Sequence, residues 1–123
     1  MASLREGRPL IQAHPGGRDE VRIITVDGPL TLNSVFEFQA AWRAESAAVL
    51  IFDLSKVPYL DSAAIGSLVN AYVSRNKNGH RTVLVGLAER VHSTLAITKV
   101  DQLFNIYGSS ADAEEALRDG AAS

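Results

Sequence analysis

One stretch constrains the fold of this 123-residue chain more than any other: Ala48-Val49-Leu50-Ile51-Phe52-Asp53-Leu54. It is apolar almost without a break and carries a single acid near its end. The unbroken apolar part, Ala47 to Phe52, is far shorter than the ~20 residues needed to span a bilayer. Such a run suits a strand buried on both faces of a sheet. After a short loop, Ile65, Leu68, Val69, Tyr72 and Val73 recur at helical spacing and define one apolar face. Together these patterns predict Val49–Asp53 as a central strand, with Ile65, Leu68 and Tyr72 turned towards it.

The flanking segments extend this scheme. Pro9 to His14 is a weak strand, Pro15-Gly16-Gly17 a turn, and Glu20 to Val26 an alternating Val/Ile-rich strand, which together predict a hairpin. Gly28-Pro29 ends it. Ser34-Val35-Phe36-Glu37 has the spacing of a capping box, in which each side chain satisfies the other residue's backbone N–H. A helix from there to about Glu45 would bury Val35, Phe38 and Trp42. Arg75 and Lys77 near the end of the second helix suit its negative pole, and Asn78-Gly79 stops it. Arg81 to Gly86 is a further buried strand. Ala88 to about Ile97 is a short helix with Val91, Leu95 and Thr98 inward, Leu103 to Tyr107 a last strand, and Ser109-Ser110 caps a helix reaching about Arg118.

Helix and strand alternate after the hairpin, which predicts an α/β domain with a mixed β-sheet, parallel in its later strands, and packed α-helices. The expected organisation is a flexible arm at 1–8, one domain at 9–118 and a flexible tail at 119–123. Ligands and partners of such sheets meet loops at the carboxyl ends of the parallel strands, and 53–62 is such a loop.

Composition narrows the function. A net charge of −2 gives no reason to expect direct nucleic-acid binding. The absence of cysteine removes disulfides and thiolate metal sites, and no signal-peptide pattern is visible, so a cytoplasmic location without membrane insertion is expected. His14, His80 and His92 are scattered and read as surface residues rather than metal ligands. Asp53 and Asp61 have no third group to complete a catalytic set, and Asp53 reads as an organiser of loop backbone. Arg75, Lys77, His80 and Arg81 read as a solvated helix end. No nucleotide-binding glycine motif occurs, so neither a catalytic residue, a metal nor a cofactor is assigned. Ser62, where loop becomes helix, reads either as an N-cap or as a phosphate acceptor at the positive pole of the helix.

Asp53-Leu54-Ser55-Lys56-Val57-Pro58-Tyr59-Leu60-Asp61-Ser62-Ala63-Ala64-Ile65-Gly66 resembles the hallmark of the STAS domain in bacterial anti-sigma factor antagonists: a strand ending in Asp-Leu-Ser, then Asp-Ser-Ser/Thr-Gly-Leu-Gly. Gly28-Pro29-Leu30-Thr31 resembles the Gly-x-Leu-Asp before the family's first helix, and Thr82–Gly86 and Lys99–Phe104 match its usual order. The resemblance implies a single STAS-like domain that is not an enzyme. Its partner would be an anti-sigma factor serine kinase. Ser62 would be the phosphorylation site, with a phosphatase acting on phosphorylated Ser62. Asp61, Ser62, Ala63, Ser55 and Thr31 would bind the partner. The other role such domains serve, as scaffold subunit of a larger signalling or lipid-transport complex, stays open, as does a homodimer. The chain departs from the motif at Ala63, Ala64 and Thr31. The two alanines should stiffen the helix start. Ala64 in place of glycine should hinder close approach of a partner's backbone.

Overall fold

The computed structural model describes residues 8–118. Only Arg8 of the expected arm is among them, and the expected tail at 119–123 lies outside the described residues. The elements are β1 (Leu10–Pro15), β2 (Val21–Asp27), α1 (Val35–Arg43), β3 (Val49–Lys56), α2 (Ser62–Asn76), β4 (Arg81–Val85), α3 (Glu89–Ile97), β5 (Asn105–Tyr107) and α4 (Ser110–Arg118), with a 3-10 turn at Val100–Leu103. The strands lie side by side in chain order, β1 antiparallel to β2 and every later pair parallel. The strand read from the apolar run is the middle one of five.

Both faces of β3 are buried, each by a different layer. Leu50, Phe52 and Leu54 join Ile24, Val26 and Leu84 under α1, α2 and α3. Ile51 and Val49 join Val21, Ile23, Val83 and Val85 on the opposite face, where α4 supplies Ala113 and Leu117. The carboxylate of Glu114 holds α4 to the β1–β2 turn, accepting from the Gly17 N–H at 2.9 and 3.0 Å.

Several local readings need correction. The Ser34–Glu37 capping box does not form. The Ser34 hydroxyl turns back to Thr31, accepting from its N–H and lying 3.2 Å from its carbonyl, while Glu37 pairs with Arg8 at 3.5 Å. The last strand starts later than expected because 100–103 winds into the 3-10 turn, entered through Lys99 at φ 63. Thr98 is exposed and bonds back to the carbonyls of Thr94 and Leu95.

The larger correction concerns α2. Its buried residues are Ala64, Ser67, Leu68, Ala71 and Arg75, whereas Ile65 and Tyr72 are partly buried and Val73 is exposed. Leu68 faces the sheet as expected, but the helix is rotated so that the small residues Ala64, Ser67 and Ala71 pack beside it while Ile65, Tyr72 and Val73 lie on the flanks. Ser67 accepts a hydrogen bond from Trp42 Nε1 of α1 at 3.3 Å. Arg75 is not a solvated helix end. It is 4% exposed, with Nε donating to Thr82 Oγ1 (3.0 Å) and its terminal nitrogens to the carbonyls of Glu45 (3.2 Å), Ala47 (2.8 Å) and Arg81 (2.9 Å). Burial pushes its pKa below the usual arginine value, against an opposing pull from the Glu45 carboxylate. The side chain remains a cation at neutral pH. Glu45 is itself held by Arg22 at 2.9 Å.

Two substitutions test this packing. Leu68→Ala should cost about 2–5 kcal/mol by opening a cavity, whereas Ile97→Ser, at an 82% exposed position, should stay within about half a kcal/mol. Urea denaturation measures both. Arg75→Leu should also destabilise the fold, since each buried carbonyl left without a donor costs about 1–3 kcal/mol. A melting temperature unchanged by Arg75→Leu would show that water replaces the guanidinium without loss.

Candidate partner-binding site at the start of α2

The parallel topology gathers the loops after β2, β3 and β4 at one edge of the sheet. The loop after β3 then crosses back towards the one after β2. An isolated parallel bridge pairs Leu30 with Leu60, with the Leu30 N–H donating to Tyr59 O and the Asp61 N–H to Leu30 O, both at 3.2 Å. Leu30 and Leu60 are buried beneath this crossing and anchor it.

Asp61 joins these two loops to α2. It is extended, at φ −106 and ψ −176, and is the N-cap of the helix. Its Oδ1 accepts from the Ala64 N–H at 3.0 Å, and its Oδ2 accepts from the Leu32 N–H at 3.0 Å. Capping is therefore the work of Asp61, and Ser62 is the first helical residue rather than the cap. Ser62 is exposed, and its hydroxyl has no hydrogen-bond partner among the described residues. The carboxylate beside it is turned onto backbone N–H groups, leaving the serine at the positive pole of a 15-residue helix.

The structure gathers Thr31, Asp61, Ser62 and Ala63 at this loop crossing. Ser55 stands apart. It is exposed at the end of β3 and follows the alternation of Val49, Ile51 and Asp53, so it lies on the α4 side of the sheet. Its N–H donates to Asp53 Oδ1 at 3.0 Å, as expected of an aspartate that organises the loop. Gly86 passes so close that an added Cβ would lie 2.8 Å from Ser55 Cβ, and it has φ +72, so both space and conformation favour glycine there. Ser55 and Asp53 border a separate depression of about 180 Å³, shared with Gln12, Thr25 and Asp27.

Ala64 overturns the expectation of an obstructed approach. Its side chain is fully buried in the core, so its methyl group faces away from any partner. Gly66 is the exposed position, with open space above it. Sequence reasoning missed Leu32 and Phe36, which are 62% and 76% exposed. Leu32 belongs to the site through its N–H, although its Thr-Leu-Asn context carries no periodic signal. Tyr59 is also half-exposed, with the Arg90 guanidinium 5.1 Å from its ring centroid.

Among the described residues no group of three His, Cys, Asp or Glu could hold a metal ion, and no helix is long and apolar enough to cross a membrane. The STAS domain family model matches residues 14–113. The chain belongs to the STAS domain family. A curated STAS relative, the anti-sigma-B factor antagonist of Listeria monocytogenes, is 30% identical over 76 residues, which cover 62% of this chain and 67% of that protein. The crystal structure of a Thermotoga maritima protein provisionally named an anti-sigma factor antagonist matches with a TM-score of 0.81 at 25% identity, covering 88% of this chain and 94% of the other. The phosphorylated form of the Bacillus cell fate determinant SpoIIAA shares the fold, with a TM-score of 0.70 at 13% identity over 88% of this chain and 99% of that one.

Within this STAS domain, the Asp61 arrangement predicts unequal effects at adjacent positions. Asp61→Ala removes the cap and the tie to Leu32 and should cost about 0.5–2 kcal/mol. Ser62→Ala should change stability by less than about half a kcal/mol. Urea titration of the two variants beside the parent checks the difference.

Proposed function

We propose that this STAS domain is an anti-sigma factor antagonist: it binds a serine-kinase anti-sigma factor, so that a sigma factor is released, and phosphorylation of Ser62 ends the binding. The observation that carries this reading is the exposed Ser62 hydroxyl at the head of α2, beside an Asp61 carboxylate that is occupied by two backbone N–H groups. The names of the Listeria and Thermotoga relatives support the antagonist role.

The kinase transfers the γ-phosphoryl group of ATP to Ser62 Oγ. The hydroxyl proton passes to the kinase's base, and ADP leaves. A phosphatase reverses the change by hydrolysis, returning the serine and inorganic phosphate. This chain supplies only the acceptor. The phosphate adds about −1.5 to −2 charges at neutral pH. The start of α2 favours that charge, so the fold should change little. A partner seated over Thr31, Asp61, Ser62 and Ala63 would meet the charge directly and lose affinity. Ser55, on the other side of the sheet, contributes only if the partner wraps the edge. A cytoplasmic location follows from this role.

Incubation with an anti-sigma serine kinase from the same genome and ATP should label Ser62, as located by mass spectrometry. Ser62→Ala should keep binding and lose the label. Ser62→Asp should weaken binding incompletely, because it carries one charge and fewer acceptor oxygens. A label elsewhere, or full binding by the Ser62-phosphorylated form, would refute the switch.

A further inference from the structure

We propose that Arg90 is the guanidinium that receives a phosphoryl group on Ser62, leaving its resting place on Tyr59 to do so. The contact deepens the switch proposed above and depends on it for its use in the cell.

Four arginines rest on oxygen atoms. Arg8, Arg18 and Arg22 each have a carboxylate, at 3.5, 3.7 and 2.9 Å. Arg75 is buried among carbonyls. Arg90 is exposed, has no carboxylate partner among the described residues, and lies over the Tyr59 ring at 5.1 Å. A cation on an exposed aromatic face is held weakly and remains partly hydrated.

Its position matters more than its looseness. Arg90 is the second residue of α3, just beyond the carboxyl end of β4, at the sheet edge where α2 begins. Tyr59 precedes Ser62 by three residues, which limits their Cα atoms to at most about 11 Å apart. The ring that holds the guanidinium thus belongs to a residue three positions before Ser62, and a rotation of the Arg90 side chain off that ring is the movement the proposal requires. The carboxylate next to Ser62, Asp61, is engaged with two backbone N–H groups, and Glu89, next to Arg90, makes no ion pair with it. A doubly charged phosphate offers Arg90 paired, charge-assisted hydrogen bonds, a stronger attraction than a ring face. The planar fork of arginine suits this better than lysine.

The test needs no kinase. Phosphoserine is placed at position 62 of the full chain during translation, and its ionisation is followed by phosphorus NMR against pH. The second pKa of phosphoserine is about 6 when unperturbed. In the parent it should lie at least ~0.5 unit below that of Arg90→Gln, because a nearby cation favours the dianion. Arg90→Lys should fall between the two. Arg43→Gln is the control: Arg43 lies over Trp42 at the far end of α1, and its loss should leave the titration unchanged. Equal pKa values in the parent and Arg90→Gln would overturn the contact. So would an equal shift from Arg43→Gln, which would indicate a general surface field. Failure of a kinase to label Ser62 would count against the switch alone, since the phosphate here is installed independently.

Discussion

A strand buried on both faces cannot be covered by one layer of helices, and β3 imposes that condition on the whole chain. Leu50, Ile51, Phe52 and Leu54 have no exposed surface, and they point alternately to opposite sides. Crossover connections from β2 to β3 and from β3 to β4 place α1 and α2 on one side, and α3 follows them there. The other side is left to α4. The same parallel pairing sends every loop after β2, β3 and β4 to one edge. The site is therefore a by-product of how the core is covered.

What turns that edge into a defined surface is a carboxylate with two tasks. Asp61 satisfies one donor of α2 and one of the loop before α1. A helix start and a neighbouring loop thereby share one anchor, and Ser62 inherits a fixed position from it. At the other end of the same helix, Arg75 fastens the last turn to the chain before β3 and to the start of β4. With its ends held in these two ways, α2 presents its exposed line as a firm surface.

The architecture was legible in the sequence because it follows from burial. The double-sided run at 49–54 and the alternation of helix with strand need no knowledge of partners to be read. The rotation of α2 was not legible. Hydrophobicity points to Val73, whereas close packing on the sheet selects Ala64 and Ala71, and a buried Arg75 becomes acceptable only once three carbonyls converge on it. The capping box at Ser34 matched in spacing but lost its serine to a local bond with Thr31. At the candidate site, the Asp61-Ser62 pair could be read from its setting between strand and helix. The division of labour within it could not, because the Leu32 N–H that occupies the second aspartate oxygen lies 29 residues away in sequence.

The placement of α4 affects how the molecule comes into being. Val21, Ile23, Ile51, Val83 and Val85 wait for a cover whose residues begin only at Ser110. As the chain leaves the ribosome, the helices for the first face emerge in time to meet their strands, but the second face stays bare until 110–118 are out. Synthesis at roughly 5–20 residues per second leaves that apolar surface open for seconds. The hydrogen bonds between Glu114 and Gly17 join segments 97 residues apart, so they too must wait for α4. A nascent chain halted before α4 would carry that apolar face uncovered, and the arrival of Ala113 and Leu117 is what closes it.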